Sequence, residues 1–227
     1  MLGSYQRGDL LHKSTNSSVY VATEKKTGKL LALKEIPFRG SRERLAFYKE
    51  IELLQKLKGL PHFVQLTDFF EEQGFFYLVT EFIEGTNLRE VKTGLDKLLD
   101  YFRQAAKALS LMHGQGILHG DIKGNNFLVD QNGILRFLDL GSGIYHTGEE
   151  YLRSGTLSYM SPEQLGFIRY PAGEYTDLYG LGISFYELLS GRLPFLEKEK
   201  NKLIHAILTE TPPPLTQLCP GLPKIYS

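Results

Sequence analysis

The sequence has little of what marks several large classes of protein. Its 227 residues contain one cysteine, Cys219, so an internal disulfide framework is excluded and a reducing compartment is expected. The 26 Lys and Arg residues balance 26 Asp and Glu residues, which gives no support to a nucleic-acid partner or to binding of an anionic membrane surface. No apolar run reaches membrane-spanning length, and the N-terminus lacks the apolar core of a signal peptide. We therefore expect a soluble, cytoplasmic protein.

The first third of the chain has the alternating apolar pattern of β-strands. The turn KKTGK separates the strand-like stretches SSVYVAT and LLALKEI, and the turn EEQG separates FVQLTDFF from FFYLVTEFI. Between these pairs, residues 41–59 place apolar side chains at helical spacing. The pattern predicts a small sheet with one helix, which we assign to a lobe spanning residues 1–83.

Beyond this lobe the pattern becomes mainly helical. Residues 95–116 carry a broad apolar face, and residues 176–191 are typical of a buried helix. The Pro-rich end is irregular, so we expect the natural polypeptide to continue past Ser227 and the last helices of the second lobe, residues 84–227, to be missing. The predicted fold class is α+β, with a small antiparallel sheet lobe that carries one helix and a larger, mainly helical lobe.

Lys34 and Glu50 are the first candidates for a functional site. The alternation in LLALKEI places Ala32, Lys34 and Ile36 on one face of a strand. Glu50 lies on the apolar side of the predicted helix, where an unpaired carboxylate would be costly. Lys34 is the best candidate for its partner, and such a pair can hold a lysine toward a cleft to grip nucleotide phosphates. The alternatives are a surface lysine on an edge strand and a glutamate at the rim of the core.

The stretch HGDIKGNNFLVD brings together an acid, a base and an amide, and Asp139 follows thirteen residues after Asn126. Phosphoryl transfer requires a divalent metal, positioning and charge neutralisation more than covalent work by the protein. Asp139 and Asn126 offer the oxygen ligands that a hard cation prefers. Asp121 can orient an acceptor hydroxyl and take its proton, and Lys123 can screen the transferring group. The alternative is a polar turn built from ordinary hairpin residues.

These motifs, in this order, resemble those of the eukaryotic-type protein Ser/Thr kinases. LALK is similar to the strand lysine motif, HGDIKGNN to the catalytic loop, and DLG to the metal-binding DFG. GTLSYMSPE resembles the substrate-binding loop that ends in Ala-Pro-Glu, and the helix after it carries Asp177 at the place of an anchoring aspartate. The match runs from about Tyr5 to Phe195, and its short segments are similar to those of bacterial members.

The resemblance implies a two-lobed kinase fold that transfers the γ-phosphoryl group of ATP, with Mg²⁺, to Ser or Thr hydroxyls of a protein substrate. It implies catalytic roles for Asp121 and Lys123, and metal binding by Asn126 and Asp139. Residues 81–83 would form the hinge that meets adenine, with Thr80 guarding the pocket behind it. The full set implied to bind the nucleotide is Leu11, Val19, Ala32, Lys34, Glu50, Thr80, Glu81, Ile83 and Leu128. The oligomeric state stays open between a monomer and a homodimer formed through the small lobe, because many relatives pair in this way.

The nucleotide loop departs from the family pattern. Its sequence HKSTNSSV has His12, Ser14 and Ser17 where the family has glycines. A Cβ at each position limits how closely the backbone approaches phosphates. We therefore expect weaker nucleotide binding or slower turnover.

The catalytic loop departs from the pattern at Gly120, which replaces an arginine. In the family this arginine pairs with a phosphorylated activation loop. We therefore expect activity that does not depend on phosphorylation at Thr147, Ser154 or Thr156.

Two other functions stay open. The missing glycines favour a weakly active pseudokinase that binds ATP and acts as a scaffold. HGD followed by NNFLVD and LDLG also resembles the aminoglycoside and choline phosphotransferases. Lys123, the peptide-binding shelf SGTLSYMSPEQ with Thr156 near Asp121, and the DLYGLG helix that supports the shelf all favour a protein acceptor.

Overall fold

A computed structural model describes residues 2–146, 154–219 and 221–223. Five antiparallel strands form one sheet in the order β1-β2-β3-β5-β4. Turns containing Gly28 and the pair Gln73–Gly74 connect neighbouring strands, and all three residues have positive φ (74°, 51° and 80°), the conformation that tight hairpins require. The strands are β1 Tyr5–Lys13, β2 Ser18–Glu24, β3 Leu30–Pro37, β4 Leu66–Glu72 and β5 Phe75–Glu81.

One helix, α1 (Ser41–Lys56), packs against this sheet. It buries Phe47, Ile51 and Leu54, residues that recur at helical spacing, and the Phe47 ring stacks on Phe76 of β5 at 4.6 Å between centroids. The predicted helix is confirmed, and it ends three residues before the predicted end. The expected small antiparallel sheet with one helix is therefore present.

The rest of the chain is mainly helical, as the periodicity predicts. The Pro-rich end, predicted to be irregular, contains a four-residue helix, α5, because a proline at its N-terminal cap can start a turn without an amide hydrogen. The helices are α2 Leu95–His113, α3 Glu174–Ser190, α4 Lys200–Thr209 and α5 Leu215–Leu218. The short strands are β6 Gly85–Asn87, β7 Ile117–Leu118, β8 Phe127–Asp130, β9 Leu135–Phe137 and β10 Ile144–Tyr145, and two 3₁₀ turns span Gly124–Asn126 and Leu157–Tyr159.

The two parts are joined by the segment between α1 and β4. His62 accepts the N–H of Phe137 at 2.7 Å through its carbonyl, and its Nδ1 lies 2.9 Å from the carbonyl of Leu135. The Phe63 ring packs on Phe137 at 5.1 Å, and one buried core continues from α1 through this contact to α2 and α3. Strand pairing therefore separates the parts near residue 83, whereas the core crosses that boundary. The assignment of two lobes at residues 1–83 and 84–227 stays a prediction.

Candidate active site

Three charged side chains meet where the sheet faces the second part of the chain. The Nζ of Lys34 donates to both carboxylate oxygens of Glu50, at 2.7 and 3.0 Å, and to Oδ1 of Asp139 at 2.8 Å. The Glu50 side chain is 6% exposed and that of Asp139 is 46% exposed, so the triad runs from the core to an open surface. The predicted Lys34–Glu50 contact is confirmed.

Local sequence explains how the triad forms. In β3, Leu31 and Leu33 are buried under the sheet, so the alternation turns Lys34 toward the opposite face. Gly141 also contacts the triad, because its N–H donates to Asp139 Oδ1 at 3.0 Å. A Cβ at Gly141 would lie 3.2 Å from the same Asp139 oxygen and 3.5 Å from Lys34 Nζ, which leaves little space for a side chain.

The three groups shift one another's pKa. Burial raises the pKa of Glu50 to about 7, although the Lys34 ammonium opposes that change. Burial would lower the pKa of Lys34, but Asp139 and Glu50 outweigh it and the Lys34 pKa is raised. Burial likewise works against ionised Asp139, but Lys34 and the Gly141 N–H bring the pKa of that carboxyl well below its usual range. Glu50 is thus the member of the triad whose pKa moves toward neutral pH.

A second cluster surrounds Asp121. Its Oδ2 accepts from Lys123 Nζ at 2.7 Å, and its Oδ1 accepts from the backbone N–H of Thr156 at 2.7 Å. Lys123 Nζ also donates to Thr156 Oγ1 at 2.7 Å. The expected approach of Thr156 to Asp121 and Lys123 is confirmed, and the segment that begins at Ser154 contacts the Asp121 carboxylate.

Asn126 connects the two clusters. Its Nδ2 donates to the Asp121 carbonyl at 2.8 Å, so its amide oxygen is the atom that would face a cation. Its own carbonyl accepts the N–H of Leu138 at 3.0 Å, which holds the residue before Asp139 beside the catalytic loop. Among the described residues, no group of three His, Cys, Asp or Glu side chains has the arrangement of a metal site. The oxygens of Asp139 and Asn126 fit Mg²⁺, which binds through few protein ligands together with substrate phosphates.

Asp177, on α3, holds the backbone of the loop that contains Asp121. Its carboxylate, whose side chain is 1% exposed, accepts the N–H of His119 and of Gly120, both at 2.8 Å. Its Oδ2 also lies 2.8 Å from Nε2 of His113 at the end of α2. The anchoring position implied for Asp177 is confirmed. Sequence reasoning missed His113, although an imidazole in the last turn of an amphipathic helix indicates a polar partner.

The residues expected to line the nucleotide site come from both parts of the chain. Strand register places Val19 beside Lys34 and Ala32 beside Thr80, so these four share one region of the sheet. Leu128 lies in β8, and Leu11 in β1 is 49% exposed. Glu81 ends β5, and Ile83 follows it and packs on the core. The roles of these residues in nucleotide binding stay predictions.

The Glu81 side chain has a partner that sequence reasoning missed. Its Oε1 accepts from Arg136 at 2.5 Å and from the backbone N–H of Gln65 at 3.0 Å. Arg136 lies on β9 and is also 3.8 Å from Asp130. This ion pair ties the predicted hinge to the second part of the chain, and no local pattern could predict it because the partners are 55 residues apart.

The loop without glycines folds onto itself. Ser14 Oγ accepts the backbone N–H of Ser17 at 3.0 Å and of Asn16 at 3.3 Å, and the Ser14 N–H donates to the Ser17 carbonyl at 2.8 Å. Gln73 is the one non-glycine residue with positive φ in the described part of the chain, so none of the loop residues needs a glycine conformation. The serine hydroxyl occupies two N–H groups at the tip of the loop.

Comparison with known proteins agrees with this arrangement. The family model for the protein kinase domain matches residues 5–219, and the chain belongs to this family. It is 29% identical over 91% of its length to the "Probable serine/threonine-protein kinase KIN1 homolog" of Enterocytozoon bieneusi, and 30% identical over 87% to CBL-interacting serine/threonine-protein kinase 12 of Arabidopsis thaliana. It is 27% identical over 95% to serine/threonine-protein kinase PAK mbt of Drosophila melanogaster.

The matched parts cover 35%, 42% and 34% of these three relatives, so the chain spans less than half the length of each. The protein-kinase-like fold, with its antiparallel sheet and helical part, is confirmed. A bacterial origin and the expected continuation past Ser227 stay predictions. Thr147, one of the three considered phosphorylation sites, lies outside the described residues. In the part of the chain that the structure describes, no helix has the length and apolar character needed to cross a membrane.

Proposed function

We propose that this domain transfers the γ-phosphoryl group of ATP, as its magnesium complex, to Ser or Thr hydroxyls of a protein. The observation that carries the proposal is the linkage of two clusters of polar side chains through Asn126. Lys34 with Glu50 and Asp139 forms a charged grip, and Asp121 with Lys123 and Thr156 forms an acceptor site. The Asn126–Leu138 hydrogen bond joins the two.

Each residue has a task that its surroundings support. Asp121 accepts hydrogen bonds at both carboxylate oxygens, which orients it to accept a hydroxyl proton from the substrate. Lys123 lies between Asp121 and Thr156, where its charge would screen the phosphoryl group in transit. Lys34, held by Glu50, would bind phosphate oxygens.

Asp139 and Asn126 would hold the Mg²⁺. When bound, the cation would neutralise phosphate charge and orient the γ-phosphate. Asp139, whose side chain is half-exposed, would offer its carboxylate to the metal, and Lys34 would contact phosphate. The neighbouring Gly141 leaves that carboxylate free of a bulky side chain.

A protein acceptor is favoured over a small molecule by the surface beside Asp121. The shelf, defined as Ser154–Gln164, lies directly on the catalytic loop and is fixed to α3 by the Tyr159 hydroxyl, which donates to Glu187 Oε2 at 2.6 Å. Arg89 donates to the other Glu187 oxygen at 2.6 Å. An extended surface braced in this way can support several residues of a peptide, which a small acceptor does not need.

Transfer of radiolabelled phosphate from ATP to generic basic and acidic proteins would test the proposal, with Asp121→Asn as the control. We expect incorporation into protein, and a fall of about 10²–10⁴-fold in the variant because the proton acceptor is lost. Magnesium-dependent ATP binding should persist in Asp121→Asn. Transfer only to an amino alcohol or an aminoglycoside would contradict the proposal.

A second candidate, an ATP-binding scaffold with little transferase activity, is favoured by one observation. Ser14 Oγ occupies the N–H groups of Asn16 and Ser17 that could otherwise meet phosphates. Binding of Mg-ATP with no transfer to any protein would support the scaffold. We further propose that the domain acts in the cytoplasm, and pairing of two copies through the small lobe stays a prediction.

A further inference from the structure

The side-chain amide of Gln164 bridges the shelf and the catalytic loop. Gln164 is 4% exposed, and its Nε2 donates to the carbonyl of Gly120 and to the carbonyl of Ser154, both at 2.9 Å. Its Oε1 accepts from the N–H of Ser161 at 3.0 Å and from the Ser161 hydroxyl at 3.3 Å. Both amide hydrogens and both acceptor sites of the side chain are therefore used.

Gly120 is held from two sides as a result. Its N–H donates to the buried Asp177 carboxylate at 2.8 Å, and its carbonyl accepts from Gln164. Gly120 immediately precedes Asp121, so the backbone that carries the catalytic carboxylate is tied both to α3 and to the shelf. Two residues along from Ser154, the N–H of Thr156 donates to Asp121 itself. The Gln164 amide and the Thr156 N–H thus form adjacent ties between the same two segments.

The close fit of two glycines allows this contact. A Cβ on Gly155, where φ is +133°, would lie 2.9 Å from the Gly120 carbonyl oxygen and 3.4 Å from Gln164 Nε2. Gly120 itself has φ of +78°. A side chain at Gly155 would therefore separate the shelf from the catalytic loop. None of the residues 154–159 is charged, so this described stretch contributes only neutral groups to its contacts with Gly120, Asp121 and Lys123.

We propose that Gln164 is a positioning residue that holds Ser154–Thr156 in the acceptor-binding arrangement without any phosphate group. The inference rests on the proposed function, because the arrangement matters for transfer to a protein. A buried amide with all its hydrogen bonds made fixes two carbonyls in one geometry, and removing it leaves both without donors. Gln164 touches neither Lys34 nor Asp139, so its effect should fall on the acceptor and not on ATP.

The test compares Gln164→Leu with Gln104→Leu in the full chain. Gln104 makes a similar set of bonds, to the Gly133 carbonyl, to Asp100 and from the Leu135 N–H, and none of these partners belongs to the shelf or to the catalytic loop. For Gln164→Leu, we expect kcat/KM for the protein acceptor to fall about 10- to 100-fold, with KM for ATP unchanged, because two buried carbonyls lose their donors. Gln104→Leu should match the parent in both constants.

Amide hydrogen exchange at Thr156 gives a readout that does not need catalysis. We expect faster exchange of this N–H in Gln164→Leu and no change in Gln104→Leu, because only the first loosens the shelf. Gln164→Glu, which keeps the shape but removes both donors, should behave like Gln164→Leu and replaces it if the leucine variant does not fold. Phosphatase treatment of the parent protein should leave acceptor kinetics unchanged.

Parent-like exchange and parent-like acceptor kinetics in both Gln164 variants would overturn the inference. A loss of more than about tenfold in acceptor turnover after phosphatase treatment would also overturn it. In that case a phosphate group, and not Gln164, would hold the shelf against the catalytic loop. If the parent protein transfers phosphate to no acceptor, the proposed function fails, and the exchange rates still decide whether Gln164 holds the shelf.

Discussion

The nucleotide side and the acceptor side of the site are held by different sets of interactions. On the nucleotide side, Lys34 is bound by two carboxylates, and each contact is between charged groups. On the acceptor side, Gly120 and the shelf are joined by the Gln164 amide and by the fit of two glycines. The nucleotide side is held by ion pairs and is partly open. The acceptor side adds neutral hydrogen bonds and close glycine packing to its contacts with the carboxylates of Asp121 and Asp177.

The difference between the two sides predicts which kinetic property a substitution on each side will change. A charged triad changes with pH and with the metal that Asp139 would bind, so its geometry is conditional. The Gln164 amide, which donates to two backbone carbonyls, does not titrate, so this contact keeps its geometry across the same conditions. Substitutions on the first side should therefore alter the chemical step and its pH dependence, and substitutions on the second side should alter use of the acceptor.

The largest effect among these substitutions is expected at Glu50. Glu50→Gln keeps the shape but weakens the hold on Lys34, and a misplaced phosphate ligand can cost about 100-fold in kcat. The same substitution should raise the free energy of unfolding relative to the parent at neutral pH, although it lowers kcat. The folded-state pKa of Glu50 is raised to about 7, so its contribution to stability is fully present below its unfolded pKa and is lost as the pH rises through about 7. Glutamine does not ionise, so the variant does not lose this stability as the pH rises. The free energy of unfolding of the variant minus that of the parent should therefore increase between pH 5 and pH 8.

Denaturant unfolding at both pH values, without magnesium, measures the stability, and initial rates with saturating Mg-ATP measure kcat. Glu71→Gln is the matched control, because Glu71 pairs with Arg44 at 3.0 Å on the surface, where such pairs contribute little. It should alter neither quantity. An unchanged kcat in Glu50→Gln would show that Lys34 needs no partner, and the contrast between the two sides of the cleft would fail.

Periodicity explains why the charged side was predictable. Glu50 breaks an apolar helical face, so it is a polar residue at a buried position that requires a partner, and Lys34 on the predicted strand is the best candidate. The catalytic loop was predictable because Asp121, Lys123 and Asn126 lie close in sequence. Gln164 and Arg136 gave no such signal. Gln164 binds backbone carbonyls, which every residue has, and Arg136 meets Glu81 only after the chain has folded.

A smaller effect, on the acceptor alone, is expected at Gly155. Gly155→Ala adds a Cβ that would lie 2.9 Å from the Gly120 carbonyl oxygen, so the shelf must shift from the catalytic loop. We expect kcat/KM for the acceptor to fall about tenfold, as a displacement of roughly an ångström can cost that much or more, with KM for ATP unchanged. Steady-state kinetics with each substrate varied in turn measures both constants.

Gly28→Ala is the control that separates backbone strain at a positive φ from the steric contact with Gly120 expected in Gly155→Ala. Gly28 has φ of +74°, and no atom lies within 4 Å of the position that a Cβ would take there, so alanine brings backbone strain without a clash. It should lower thermal stability and leave the acceptor constants unchanged. An equal loss of acceptor kcat/KM in both variants would mean that strain, and not the contact with Gly120, governs the acceptor side.

The smallest effect is expected at Ser14, and its direction is a gain. Ser14→Gly removes the hydroxyl that occupies the N–H groups of Asn16 and Ser17 and removes the Cβ, so both groups become free to meet phosphate oxygens. Because a net hydrogen bond contributes about 1 kcal/mol, ATP affinity should rise roughly three- to tenfold. Ser14→Ala removes the hydroxyl and keeps the Cβ, so it should give part of this gain. Titration calorimetry with Mg-ATP measures the three affinities, and equal values would place the limit on nucleotide binding elsewhere in the cleft.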